Sequence, residues 1–143
     1  MHASSSLLKK LDVVYHAALR FVTCASVHTH HCNLYEMVQW TSLYSRRKTH
    51  MLIFIFKALL GKLPQYISGL LKYYSSSHNT RSSEKILLMV PSIRTELGKS
   101  AFSFHAPHVW NELQGILNLK SLPSLDMFKN MLKSVFTEQC YCF

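Results

Sequence analysis

The chain has 143 residues, 48% of them hydrophobic and 12% aromatic, with 16 Lys and Arg against 7 Asp and Glu for a formal net charge of +9. That length fits a single domain, 1–143, and the apolar content suffices for a core, which excludes disorder along the whole chain. The basic balance favours polyanionic partners such as RNA, DNA or acidic membrane surfaces, although a solvated basic face accounts for it as well.

Taken in order, Ser4 to Ser6 can cap a helix over 7–23, whose Leu7, Leu8, Leu11, Tyr15, Ala18 and Val22 recur near the helical period and define an apolar face. Residues 24–32 read as a loop, and Asn33 can cap a short helix through residue 38. Thr41 or Ser42 can cap a longer helix that ends at Gly61, where a left-handed terminating residue is favoured. The centre of that helix is apolar nearly all round, so Leu52, Ile55, Phe56 and Leu59 are expected at the heart of the core. Pro64 opens a short helix to residue 71, and the stretch 73–83, rich in Ser, Asn and Tyr, reads as an exposed linker and internal hinge. Residues 86–90 and 101–105 are strand candidates with Gly98 in the turn between them, which predicts an antiparallel hairpin. Pro107 suits the first turn of a helix that carries Val109, Trp110 and Leu113 and stops at Gly115. Ser124 can cap the last helix, in which Leu125, Phe128, Leu132, Val135 and Phe136 share one face and Lys129 and Lys133 another. The expected fold is therefore mainly α, a helical domain with one small antiparallel β-hairpin.

The most apolar window, 51–56, meets Lys57 and continues only to Leu60, well short of the ~18 apolar residues that a membrane-spanning helix requires. No transmembrane segment is expected. The first residues lack the basic start and apolar run of a secretory signal, so Cys24, Cys32, Cys140 and Cys142 are expected in a reduced intracellular compartment, cytoplasmic or nuclear.

Nucleotidyl transfer needs clustered carboxylates to hold two divalent metal ions on the phosphates. The only aspartates, Asp12 and Asp126, fall on separate predicted helices near opposite ends, and no Gly-rich phosphate loop or Gly-x-Ser-x-Gly nucleophile is present. No catalysis is expected from this chain. The run Cys24-x3-His28-x-His30-His31-Cys32 offers zinc-type ligands, but three of them crowd into consecutive positions and do not easily all point at one ion. It reads as a polar loop with incidental histidines, and no metal or other cofactor is expected.

Arg46, Arg47 and Lys48 stand in the first turns of the long predicted helix, where the dipole disfavours cations unless they stay in solvent or meet an anion. Phosphate contact and plain solvation both account for them. Arg81, Arg94 and Lys99 flank the predicted hairpin, and with Tyr73 and Tyr74 they can form a basic surface with stacking partners for single strands. Trp40 and Trp110 are read as core.

A longer pattern runs through these residues. Arg81-Ser82-Ser83, Val90-Pro91, Arg94, Gly98, Ala101-Phe102-Ser103, Ala106-Pro107 and Trp110-Asn111-Glu112-Leu113 occur together and in order. Around them stand Ala17-Ala18-Leu19-Arg20, His30, Trp40, Lys57-Ala58-Leu59 with Gly61 and Pro64, Asp126-Met127-Phe128-Lys129 and Leu132-Lys133. With these landmarks, spread over roughly 7–136, the chain resembles the region downstream of the reverse transcriptase domain in vertebrate non-LTR (LINE-type) retrotransposon polyproteins. It departs from that pattern at Thr41-Ser42-Leu43, where the family usually has Leu-Pro-Val, and in lacking the usual Leu-Pro after Asn111. The resemblance implies a polymerase lying upstream. For this segment it implies a non-catalytic role in gripping template RNA or target DNA through phosphate contacts that carry little sequence information, without a small-molecule substrate. Two other readings stand beside it, an inactive remnant of a decayed copy and a small zinc-assisted interaction module.

Overall fold

A computed structural model of the chain describes residues 4–75 and 85–136. Among these the protein is mainly α: seven helices, with an isolated antiparallel bridge between Tyr73 and Leu88 as the one β-pairing. The chain divides into two compact units, one spanning 49–135 and the other holding the residues up to Lys48 together with Phe136. No described helix is long and apolar enough to cross a membrane.

The N-terminal unit contains α1 (Ser5–Thr23), α2 (His31–Val38) and the start of α3 (Leu43–Leu59). Ser4 caps α1, its hydroxyl accepting the Ser6 N–H, and α1 ends where Cys24 takes up left-handed backbone at φ 52°. Of the apolar face expected on α1, Leu8 and Tyr15 are half-buried while Leu7, Leu11, Ala18 and Val22 are exposed. Asp12, His16 and Leu19 pack alongside Leu8 and Tyr15, and Tyr15 and His16 meet the aromatic ring of Tyr35 on α2. Among the described residues of the unit the buried apolar anchors are Leu19 and Leu34.

The larger unit takes the rest of α3 with α4 (Gln65–Ser68), α5 (Glu96–Lys99), α6 (Phe102–Leu117) and α7 (Leu125–Val135). Leu52, Ile55 and Phe56 are completely buried, as the apolar centre of α3 requires, while Leu59 is half-buried at its end. Phe56 stacks on Phe128 of α7 with ring centroids 4.0 Å apart, and Trp110 of α6 closes the cluster at 6.3 Å from Phe56 and 5.9 Å from Phe128. Ser124 caps α7 as expected, accepting the Met127 N–H, and Gly61 ends α3 at φ 68°.

The predicted hairpin is absent. Residues 102–105 belong to α6, with Ala101 as its N-cap, and Phe102, Ala106, Val109, Trp110 and Leu113 fall on one helical face; all but the half-buried Phe102 are buried, and Phe102 packs edge-on against Phe54. Helix α6 thus begins five residues before Pro107 and runs past Gly115 to Leu117, where Asn118 supplies the left-handed stop. Residues 86–89 are extended, but their partners come from elsewhere. Tyr74 N–H donates to Leu87 O at 2.9 Å and Met89 N–H to Lys72 O at 2.8 Å, while Asn111 of α6 grips Leu88 through both amide atoms, accepting its N–H at 2.9 Å and donating to its carbonyl at 2.8 Å. Trp110 Nε1 donates to Ile86 O at 2.7 Å, and Leu119 O accepts the Ile86 N–H. Side chains of a helix thereby do what a second strand was expected to do, since every buried backbone group needs a partner of some kind. Of the expected hinge, Tyr73 and Tyr74 are held by this pairing and 76–83 lie outside the described residues.

Candidate nucleic-acid interface

The basic run of α3 is assembled within the N-terminal unit. Helix α2 ends at Gln39 in left-handed backbone, φ 54°, and the Trp40 N–H then donates to Tyr35 O at 3.1 Å, which turns the chain back over the end of α2. Tyr15 Oη on α1 donates to Thr41 O at 3.1 Å and ties the connection down. Ser42 caps α3, accepting the Ser45 N–H at 3.2 Å. With the start of the helix held on both sides, Arg46 lies with its guanidinium 5.6 Å from the centre of the Trp40 ring.

Trp40 is not core. It is 52% exposed, against complete burial for Trp110, and it forms an indole–guanidinium pair with Arg46, which is exposed, as is Arg47. Lys48, half-buried, sets its Nζ 6.0 Å above the ring of Phe136. The first turn of α3 carries no acidic residue. Cations there oppose the helix dipole by a few tenths of a kcal/mol each, a cost that a bound phosphate reverses by meeting both the side chains and the positive end of the helix.

The other predicted contacts are not drawn into this cluster. Arg94 is exposed in the larger unit, and Lys99 there is paired with Glu96 at 2.6 Å, the i,i+3 arrangement of one helical turn. Tyr73 and Tyr74 stand exposed beside the extended segment, while Arg81 lies outside the described residues. Asp12 and Asp126 stand on α1 and α7, in different units.

A second concentration of chemistry sits at the start of α2. His30 is its N-cap, with Nδ1 accepting the Cys32 N–H at 3.4 Å, so His31 and Cys32 occupy the first helical turn where the sequence suggested a loop. His16 on α1 stacks on His31, ring centroids 5.2 Å apart, and its Nε2 shares a 2.5 Å hydrogen bond with Tyr35 Oη. Burial, then the neighbouring His31, pull the His16 pKa below its ordinary value. The ligand atoms of His30, His31 and Cys32 lie within 4.8 Å of one another, closer than their consecutive positions suggested. Cys32 is disulfide-bonded, and Cys24 is a free, exposed thiol.

No protein family, curated protein or solved structure matches this chain. Its chemistry is therefore read from its own geometry. The two features that sequence reasoning missed, the exposed Trp40 against Arg46 and the meeting of His16 with His31, both depend on how α2 docks on α1. The one signal for the first was the polar surround of Trp40, with Gln39 before it and Thr41-Ser42 after it.

Proposed function

We propose that this chain is a non-catalytic nucleic-acid-gripping segment, the role implied by its resemblance to the region behind the polymerase domain of LINE-type reverse transcriptases. The observation that carries the reading is the surface pair of Trp40 and Arg46 beside Arg47 and Lys48 at the N-terminus of α3. An exposed indole offers a stacking face to any base, while the guanidinium groups and the helix end offer donors to phosphate. Such a site holds single strands through phosphate and stacking contacts and reads little sequence. Arg94, Tyr73 and Tyr74, each exposed in the larger unit, offer further cationic and stacking groups. The proposed compartment is intracellular, cytoplasmic or nuclear, where RNA and DNA are met; the Cys32 disulfide weighs against it, because disulfides persist chiefly in oxidising surroundings.

Fluorescence anisotropy of the full chain with labelled single-stranded RNA and duplex DNA across a salt series tests the reading, with a cooperative thermal transition as the control for folding. Binding that weakens linearly in log salt, and more weakly still after Arg46→Ala, Arg47→Ala and Lys48→Ala together, supports it. A folded chain that binds neither probe at low salt overturns it in favour of an inactive remnant. One observation favours that second reading: Val13, Val14, Phe21 and Val22 form an uncovered apolar flank on α1, with Phe21 85% exposed.

A further inference from the structure

We infer that the exposed apolar stripe of α1 is a dimerisation seam, along which a second copy of this chain lays its own α1 antiparallel. The seam is independent of the nucleic-acid reading. Leu7, Leu11, Val14, Ala18 and Phe21 follow one another at the alternating four- and three-residue spacing by which one helix lies along another. All five are exposed, with Val22 exposed beside them. At 3.6 residues per turn they fall within about 80° of the helix circumference, the narrow width of a contact with one helix, and no charged side chain interrupts them. The other side of α1 is already occupied, since Tyr15 and His16 meet Tyr35 of α2 and Leu19 is buried. The helix is therefore held in shape before a partner arrives, and pairing orders little that is not ordered already.

The stripe itself selects a second copy as the occupant. From Leu11 through Val14 and Ala18 to Phe21 the spacing reads the same in both directions, so the stripe matches its own reverse, as a two-fold interface requires. Antiparallel pairing puts Leu11 opposite Phe21 of the second copy and Val14 opposite its Ala18, and the two-fold repeats both contacts. Charge favours the same direction. The first turn of α1 has no acidic residue, and Lys10 stands exposed at the edge of the stripe. In the antiparallel pair Lys10 lies level with Val22 of the second copy, and helical side chains lean toward their own N-terminus. Its ammonium thus reaches the negative end of the second copy's α1, which stops at Cys24. A parallel pair would instead gather Lys9 and Lys10 of both copies at one end. The large side chains of the stripe are each more than half exposed; together they offer on the order of 500 Å² per copy, about 1,000 Å² for the pair, which meets the lower bound for a specific interface. The expected dimer is one of micromolar affinity.

Light scattering of the full chain across a concentration series, from low to high micromolar, tests the seam. A monomer–dimer equilibrium is expected. Leu11→Glu and Val14→Glu should each weaken it at least tenfold, and Val13→Glu, exposed on the same helix but outside the seam, should leave it unchanged, with circular dichroism confirming that each variant keeps its helical content. A spin label on the free, exposed Cys24 reads the direction, with Cys24→Ser as the blank. An axial offset of about 16 residues puts the two labels about 25–30 Å apart in the antiparallel pair, and a separation under about 15 Å overturns that pairing. Dimers indifferent to Leu11→Glu and Val14→Glu, or weakened equally by Val13→Glu, overturn the seam. So does a chain that stays monomeric at every concentration, whether its stripe then binds anionic phospholipid vesicles, as a membrane-surface helix would, or stays bare, as in an inactive remnant.

Discussion

Asn111 ties the extended segment at Leu88 to α6. A residue on α6 hydrogen-bonds both backbone groups of Leu88, 23 positions away and 1% exposed, so truncating it strands a donor and an acceptor out of reach of water. Each such group costs about 1–3 kcal/mol when left unmet. Asn111→Ala is expected to destabilise the protein by about 2–4 kcal/mol in denaturant unfolding, and Asn111→Asp, which keeps the shape but loses the donor, by a comparable amount; a loss under about 0.5 kcal/mol would show that the grip is dispensable. Gly98 poses a question of sign. It lies in the short helix α5, where Ala is favoured by up to about 1 kcal/mol, but a Cβ there would stand 2.4 Å from Ile93 Cγ2 and 2.8 Å from Thr95 Oγ1, the cap of that helix. Overpacking of this kind costs about 1–3 kcal/mol. Gly98→Ala should therefore lower stability, and a rise in the thermal midpoint would mean that Ile93 yields freely.

Among the elements, α1 and α2 are joined by polar aromatics more than by aliphatic bulk, and that makes their association sensitive to pH. His16 is held below its ordinary pKa by burial and by His31, with His30 and Arg20 acting in the same direction and Asp12 against them. The unfolded chain consequently takes up this proton at a higher pH than the folded one does. The stability that His16 contributes is present above the ordinary imidazole range, near about 6.5, and is lost as pH falls through that value toward the lower folded pKa. Thermal midpoints measured from about pH 7.5 down to 5 should fall, and His16→Gln, which can still meet Tyr35 Oη but does not titrate, should flatten that fall. Equal slopes in the two proteins would place the sensitivity in another of the nine histidines. Four helix ends were legible, at Ser4, Ser42, Ser124 and Gly61, whereas α2 is capped by His30 instead of Asn33, and α4 stops at Ser68, short of residue 71. The start of α6 was not legible either, because Phe102 and Phe104 around Ser103 alternate like a strand and only the buried face through Trp110 decides for a helix.

For the whole molecule, the formal charge of +9 sets the expected form of binding. Each phosphate neutralised on a single strand contributes about −0.7 to the slope of log affinity against log salt. Removing Arg46, Arg47 and Lys48 together should therefore make the slope shallower by about 2 while a folded chain persists. An unchanged slope with retained affinity would move the grip away from the start of α3.

Composition and periodicity sufficed for a mainly helical chain, for the apolar heart of α3 at Leu52, Ile55 and Phe56, and for the buried face of α7 at Phe128 and Leu132. Those features rest on neighbours one or two turns apart, which a linear pattern records directly. Tertiary structure decided the rest. Asn111 and Trp110 take the place of a strand, Trp40 comes to the surface under Arg46, His16 meets His31, and α1 packs Asp12, His16 and Leu19 beside only Leu8 and Tyr15 of its expected face. Each of these turns on groups brought together only by packing or by a chain reversal, and the balance of burial and hydrogen bonding at such meetings is a property of the folded pair, not of either segment alone.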